Sequence, residues 1–257
     1  MSKNSVVVAI LAAGLGRRMG GAKPKVLINL NSQPLIKYLL KSVDEANICR
    51  RPIIVIGAHG EQVKTACGPV YQYVWQREPL GTGHAVGRAL EHLTEPADQL
   101  MVFYGDSPMI STDTIKQLIN ARHQQNNVLT FATTALSDFN GWRANFFNYG
   151  RVVRDGANQV IKIVEQRDAS VEELLIKEVN SGYYCFNIDW LRDNLKKLNA
   201  DNQQQEYYLT DLVGLAVADG RSIGTILIKD PVECLGVNTP AQLKILEATV
   251  TKRERDI

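Results

Sequence analysis

Glycines and positively charged side chains lie close together just after the first apolar run of the chain, residues 6–13. Gly14 and Gly16 allow backbone amides to approach an anion, and Arg18 and Lys25 carry the donors that phosphate oxygens accept from. Arg17 is a neighbouring cation. The pattern predicts a phosphate-binding loop, although a solvated turn with surface lysines would use the same residues.

Two well-known phosphate-binding fingerprints can be tested on this loop, and both are absent. The dinucleotide motif requires a third glycine, but Met19 stands at that position. The Walker A motif requires Lys-Ser/Thr after its second glycine, and Gly21 is followed by Ala22-Lys23-Pro24 instead. We therefore expect a different kind of phosphate site.

A carboxylate later in the chain could hold a divalent cation. Asp106 follows the apolar run 101–104, so it is predicted to lie where a parallel strand ends, pointing into a cleft. Magnesium prefers oxygen ligands and usually takes only one or two carboxylates from a protein. An N-cap ahead of Pro108 is the alternative, and the spacing alone leaves both open.

Bulk composition narrows the functional class. The chain has 257 residues, of which 45% are hydrophobic and 22% charged, and its net charge is +2. This composition indicates a globular protein without an overall field for nucleic acid or an anionic membrane. The scattered cysteines form no Cys-x-x-Cys pair and no apolar run approaches a membrane span, so we expect free thiols and a cytoplasmic location.

The candidate functional residues are expected to be positioned by an α/β fold. Strand-like runs alternate with helical patterns through residues 6–133, which predicts a Rossmann-like, mostly parallel sheet flanked by helices. In the second half, residues 151–154 and 160–165 flank a tight-turn sequence and predict a hairpin. Ser111 is predicted to cap a helix over 112–122.

Seven motifs together resemble the sugar-nucleotidyltransferase superfamily, in particular the uridyltransferase domains that occur in bifunctional N-acetylglucosamine-1-phosphate uridyltransferases. They occur in the family's order and span residues 6–240. The motifs are Leu11–Met19 with Pro24–Leu27, Gln76–Ala85, Tyr104–Pro108, Ile163–Ala169, Glu178–Gly182, Glu206–Asp211 and Gly236–Asn238.

This resemblance implies a magnesium-dependent transfer of a uridylyl group from UTP to N-acetylglucosamine 1-phosphate, which gives UDP-N-acetylglucosamine and pyrophosphate. Another hexose 1-phosphate, dTTP or CTP are the open alternatives, and a non-catalytic nucleotide-sugar sensor is a further one. It implies small-molecule partners only and leaves open an oligomer. The implied residues are Arg18 and Lys25 for catalysis; Leu11, Ala12, Ala13, Gly14, Gln76, Gly81 and Thr82 for the nucleotide; Tyr104, Gly150, Glu165, Asn180, Tyr208 and Thr210 for the sugar; and Asp106 and Asn238 for Mg²⁺.

The resemblance also implies a division of labour along the chain. Residues 1–240 would form the nucleotidyltransferase domain, with the nucleotide bound by 1–135 and the sugar by 136–240, and 241–257 would form a closing helix and tail. Residues 137–149 are longer than the family's segment, and their Trp142 and Phe146 would line an altered sugar pocket, a lid or a subunit contact. No hexapeptide repeats occur, so we expect no acetyltransfer by this chain.

Overall fold

The computed structural model describes residues 5–14, 16 and 23–255, with side chains through residue 250. The strands are β1 (Val6–Ala12), β2 (Asn29–Leu30), β3 (Gln33–Pro34), β4 (Ile53–Ile56), β5 (Gln72–Trp75), β6 (Gln99–Tyr104), β7 (Leu129–Ala135), β8 (Arg151–Arg154), β9 (Val160–Val164), β10 (Glu178–Asn187) and β11 (Ile223–Leu227).

Eight α-helices accompany these strands in the described part of the chain. They are α1 (Leu35–Ala46), α2 (Gly60–Cys67), α3 (Thr82–Glu91), α4 (Thr112–Gln125), α5 (Val171–Leu174), α6 (Ile188–Leu195), α7 (Asp211–Ala218) and α8 (Pro240–Arg255). Short 3-10 helices cover Lys25–Leu27, Gly141–Asn148 and Pro231–Cys234. None of the helices within these ranges has the length and apolar character needed to cross a bilayer.

One mixed sheet organises the fold in the order β11-β7-β10-β6-β1-β4-β5. The strands β6, β1, β4 and β5 run parallel, as do β7 and β11, while β10 runs antiparallel between β6 and β7. The hairpin β8–β9 joins the sheet through β10. The parallel strands therefore bring their carboxyl ends to one edge, where open α/β sheets bind ligands.

Helices cover both faces of the sheet because side chains alternate along each buried strand. On β1, Val8 and Ile10 face the core that contains α1 and α4, whereas Ala9 and Leu11 face the core that contains α3, α6 and α7. A strand buried on both faces reads as an unbroken apolar run, which explains the sequence of residues 6–13.

Most predicted elements are present within one or two residues, including the β8–β9 hairpin and the Ser111 cap, whose Oγ accepts from Thr114 N at 3.1 Å. The prediction missed α6, which follows β10 without a turn. Asn187 ends the strand and also caps the helix, accepting from Trp190 N at 2.8 Å. A single residue with both roles leaves no loop signal in the sequence.

Candidate active site

The carboxyl edge of the sheet brings together segments that are far apart in the sequence. Leu11 lies opposite Tyr104, and Ala12 lies opposite Ile56, which in turn pairs with Trp75. The residues that follow these strands are therefore neighbours. Gly105 N donates to Leu11 O at 2.9 Å, which fixes the start of the turn that carries Asp106.

A cleft of about 190 Å³ opens at this edge. The segments that follow β1 and β5 line it, and so do Lys25 and Asp106. All seven residues predicted for the nucleotide line it: Leu11, Ala12, Ala13, Gly14, Gln76, Gly81 and Thr82. Arg18, predicted as a phosphate clamp, and its neighbour Arg17 lie outside the described residues.

Lys25 joins the two predicted metal ligands. Its Nζ contacts Asp106 Oδ2 in a close ion pair and donates to Asn238 Oδ1 at 2.8 Å, although 81 and 213 residues separate the partners in sequence. Asp106 is 9% exposed and caps no helix, since the next helix begins at Thr112 and is capped by Ser111. The three side chains form one largely buried cluster.

Backbone hydrogen bonds hold the two oxygen-bearing residues of this cluster in place. Val237 N donates to Asp106 O at 3.0 Å, and Asn238 N donates to Gln242 Oε1 at 2.6 Å. The hydroxyl of Tyr149 donates to Cys234 O at 3.0 Å and accepts from Gly236 N at 2.8 Å. Tyr149 therefore fixes the segment that presents Asn238.

The predicted base-reading loop is held against a second loop. The Gln76 amide donates to Gly81 O at 3.0 Å and lies 3.1 Å from His84 Nδ1, so its orientation is set by the protein. Gly81 has φ +107°, and a Cβ there would lie 2.7 Å from the backbone N and O of Tyr207. This glycine thus permits close packing between the two loops, a reason that the sequence did not reveal.

A second cleft of about 420 Å³ adjoins the first. The two clefts share Lys25, Thr82, Tyr104, Asp106 and Glu206, so their junction lies at the charged cluster. Five of the six residues predicted for the sugar line the second cleft: Tyr104, Gly150, Glu165, Asn180 and Tyr208. The sixth, Thr210, is 3% exposed and lies behind the wall, where its hydroxyl donates to Glu165 Oε1 at 3.0 Å.

Burial raises the pKa of the Glu165 carboxyl, and the Thr210 hydroxyl partly offsets that shift. Burial also raises the pKa of Glu206 and of Asp211, with Asp168 adding to the effect on Asp211. Of these acids, Glu165 lines only the second of the two clefts, whereas Glu206 lies at the junction with Lys25.

Hydrogen bonds between side chains also shape the second cleft. Asn180 Nδ2 donates to the Tyr184 hydroxyl at 2.6 Å, and Asn180 Oδ1 accepts from Gly182 N at 3.1 Å. Tyr104 hydrogen-bonds with Thr82 and Tyr184, and burial raises its pKa, so its hydroxyl stays protonated. Gly182 has φ +81°, and a Cβ there would overlap the Tyr104 ring.

The long segment 137–149 contributes to the second cleft only through its end. Phe146 is fully buried, and Trp142 packs against it with ring centroids 6.1 Å apart, so neither lines the cleft. Asn148 and Tyr149 do line it. The segment is held by Arg151, which is fully buried and donates to Phe147 O at 2.9 Å.

Several residues that line the second cleft were not predicted as site residues, among them Tyr149, Gln204 and Glu206. Tyr149 belongs to the segment 137–149, Gln204 lies in none of the seven motifs, and Glu206 belongs to the motif Glu206–Asp211. Gln204 Nε2 donates to the Tyr208 hydroxyl at 2.8 Å. The unusual length of the segment 137–149 was the only signal for Tyr149.

Comparison with known proteins places these features in a family. Residues 8–170 match the family of MobA-like NTP transferase domains. The chain is 40% identical over 252 residues to the bifunctional protein GlmU of Acetivibrio thermocellus, covering 96% of this chain and 53% of that protein. It is 42% identical over 241 residues to GlmU of Aromatoleum aromaticum, covering 93% and 50%. The chain therefore spans about half the length of these relatives.

A solved structure supports the architecture independently of close sequence similarity. UDP-glucose pyrophosphorylase complexed with UDP-glucose superposes with a TM-score of 0.76 over 96% of this chain and 98% of the other, at 18% identity. At that identity the likeness concerns the fold alone. The predicted mostly parallel mixed α/β sheet flanked by helices is confirmed.

Proposed function

We propose that this chain, which belongs to the family of MobA-like NTP transferase domains, transfers the uridylyl group of UTP to N-acetylglucosamine 1-phosphate. The observation that carries the proposal is the position of the Lys25–Asp106–Asn238 cluster at the junction of two clefts. A triphosphate in one cleft and a sugar 1-phosphate in the other would meet there. The similarity to GlmU over nearly the whole chain supports the choice of reaction.

In the proposed step, a phosphate oxygen of the sugar 1-phosphate forms a bond to the α-phosphorus of UTP. The bond from that phosphorus to the oxygen bridging to the β-phosphate breaks, and pyrophosphate leaves with that electron pair. UDP-N-acetylglucosamine and pyrophosphate carry the same total charge as the substrates, so no proton acceptor is required. The protein's tasks are alignment and charge stabilisation, for which we assign Lys25 and Arg18.

We assign Asp106 and Asn238 as ligands of Mg²⁺. The donor set fits, because a carboxylate and an amide oxygen converge on one cationic atom, Lys25 Nζ. Among the described residues no group of three or more His, Cys, Asp or Glu could hold a metal, which suits an ion that relies on substrate oxygens. When bound, the ion supplies positive charge to the phosphate oxygens.

Base selection is assigned to the first cleft. Gln76 is presented in one orientation by Gly81 O and His84, and an amide can both donate to and accept from a pyrimidine edge. Leu11, Ala12, Ala13 and Gly14 supply backbone and little side-chain bulk, while Thr82 stands at the start of α3. This arrangement supports a nucleotide whose base is read by a few fixed groups.

Sugar selection is assigned to the second cleft. The Glu165 carboxylate and the Asn180 amide suit the hydroxyl and acetamido groups of the sugar. Thr210 orients Glu165 through its hydroxyl. The wall of the cleft is shaped by Tyr104, Tyr208 and Gly150. Because Asn148 and Tyr149 come from the unusual segment, another hexose 1-phosphate is the main alternative.

We also place the reaction in the cytoplasm, which the free thiols of all four cysteines support.

The domain division follows the two clefts. We propose that residues 1–135 bind mainly the nucleotide, that 136–240 bind mainly the sugar, and that 241–257 close the fold. Residues of the first part that also line the second cleft, such as Tyr104, would couple the two substrates.

The test is release of pyrophosphate from purified protein with Mg²⁺ across a substrate matrix. UTP, dTTP and CTP would each be paired with the 1-phosphates of N-acetylglucosamine, glucose and N-acetylgalactosamine. The highest kcat/KM is expected for UTP with N-acetylglucosamine 1-phosphate. Absence of turnover with every pair would refute the proposed reaction class, whereas a different best pair would correct only the substrate.

A further inference from the structure

The two oxygens assigned to a metal already bind a cation that belongs to the protein. Asp106 Oδ2 and Asn238 Oδ1 both contact Lys25 Nζ, the latter at 2.8 Å. The ammonium therefore lies at the point on which the two oxygens converge. A divalent cation held by the same pair would require that position.

Because the site is buried, the Lys25 ammonium and a divalent cation cannot both bind these two oxygens at the same time. The side chains of Lys25 and Asp106 are only 18% and 13% exposed, so solvent screens their charges weakly. An unpaired charge in such surroundings is unfavourable, which explains why Asp106 carries a cationic partner. Two cations on the same oxygens would repel each other strongly, so one must leave before the other can bind.

Hydrogen bonds to the backbone hold the two residues that carry the oxygens, whereas the Lys25 ammonium stands at the end of a long side chain. Val237 N holds the backbone of Asp106, and Gln242 holds that of Asn238. The Lys25 backbone is in a 3-10 helix and packs on Gly16, but its four-carbon stem can change rotamer. Lys25 lines both clefts, so it borders the space assigned to each substrate.

We propose that Lys25 is an internal placeholder cation, which holds Asp106 and Asn238 together in the absence of substrate and releases them when a triphosphate draws its ammonium away. This inference rests on the proposed function. It implies that a divalent ion without nucleotide binds poorly, because it competes with Lys25. It also implies that nucleotide and metal each strengthen the binding of the other.

The direct test measures Mn²⁺ binding from the electron paramagnetic resonance signal of the free ion, with and without UTP, in the absence of sugar phosphate. In the wild type, UTP is expected to tighten Mn²⁺ binding at least tenfold. Lys25→Met should tighten binding at least fivefold without UTP and reduce the further effect of UTP. The matched control is Lys23→Met, which removes the same charge from an exposed side chain two residues away.

A second measurement does not depend on activity or on UTP. Because the Lys25→Met variant lacks the cation that pairs with Asp106, it should unfold in EDTA at a lower temperature than the wild type. Mg²⁺ alone should restore much of that loss, while leaving wild type and Lys23→Met nearly unchanged. A merely structural lysine would give a variant that Mg²⁺ does not rescue.

The placeholder role is overturned if Lys25→Met and Lys25→Gln both bind Mn²⁺ no more tightly than wild type in the absence of UTP. It is also overturned if both variants remain unfolded in Mg²⁺, because the ion should substitute for the ammonium. These outcomes leave the pyrophosphate assay of the wild type untouched. Failure of that assay would refute the proposed function separately.

Discussion

The two clefts are built in different ways. The first follows the carboxyl ends of β1, β4, β5 and β6, and its positions are set by ladder register and backbone hydrogen bonds such as Gly105 N to Leu11 O. The second is lined by Gly150 and Glu165, which flank the β8–β9 hairpin, by β10 at residues 180–182 and by the loop at residues 204–208. Its polar groups are oriented mainly by other side chains, as Glu165 is by Thr210.

This contrast indicates where substitutions can change specificity without loss of chemistry. Groups held by a sheet edge keep their geometry as long as the core is intact, and Asp106 is one of them. Groups held by side-chain pairs can be exchanged in pairs. The sugar cleft is therefore the part in which a related chain could acquire a different sugar.

The largest expected effect comes from Asp106 at the junction. Asp106→Asn keeps the side-chain shape but removes the carboxylate that pairs with Lys25 and is assigned to the metal. We expect kcat to fall by about 10²–10³-fold or more, measured by pyrophosphate release. Asp189→Asn, an exposed substitution at the opposite edge of the sheet, should leave kcat unchanged. More than a tenth of wild-type turnover in Asp106→Asn would remove the metal assignment.

Gly81 packs the base-reading loop against the loop that carries Tyr207, so its substitution tests whether the two clefts act separately. Gly81→Ala would force a Cβ into the backbone of Tyr207 at a φ of +107°. Because the nucleotide and sugar loops would both shift, we expect KM to rise about tenfold for each substrate, with a loss of about 1–3 kcal/mol in unfolding free energy.

Gly87→Ala is the matched control for this substitution. Gly87 lies inside α3, and an added Cβ would meet no neighbouring atom within 4 Å, so alanine should stabilise the protein by about 0.5–1 kcal/mol and leave both KM values unchanged. A rise in only one KM for Gly81→Ala would show that the clefts are independent.

The same contrast explains what the sequence could predict. The residues of the first cleft come directly after apolar runs that predict parallel strands. Because parallel strands end at a common edge, the positions of Asp106 and Gln76 could be predicted from these local patterns. The second depends on partners that no local pattern encodes. Thr210 was expected beside the sugar but lies behind Glu165, and the role of Tyr149 depends on a contact 87 residues away.

Within the sugar cleft, substitution of Glu165 should change the KM of one substrate only. Glu165→Gln replaces a charged acceptor beside Thr210 with a neutral amide. We expect KM for the sugar phosphate to rise about tenfold, equivalent to about 1.4 kcal/mol, with KM for UTP unchanged. An equal rise in both KM values would contradict the separation of the clefts. Exposed Glu95→Gln is the control and should change neither KM.

The raised pKa of Glu165 adds a pH test of the same variant. The folded protein binds the proton of the Glu165 carboxyl more tightly than the unfolded chain does. The free energy of unfolding that this proton contributes is therefore fully present below the ordinary glutamate pKa of about 4.3, and it is lost as the pH rises through the raised pKa of the folded protein. At neutral pH, Glu165→Gln should therefore raise Tm, by about 2–4 °C. Thermal scans should show this gain vanish towards pH 4, whereas a gain at every pH would contradict the assignment.

The smallest expected effect comes from Tyr149, which connects the sugar-side segment to the junction. Tyr149→Phe removes the hydroxyl that accepts from Gly236 N and donates to Cys234 O, so Asn238 is held less firmly. We expect the Mg²⁺ concentration for half-maximal rate to rise about threefold, with KM for UTP nearly unchanged. Tyr73→Phe also removes a hydroxyl bonded to a backbone carbonyl, that of Gly68, at the far end of the sheet. If both variants lose stability but neither shifts the Mg²⁺ requirement, the Tyr149 hydroxyl does not help to hold Asn238 for the metal.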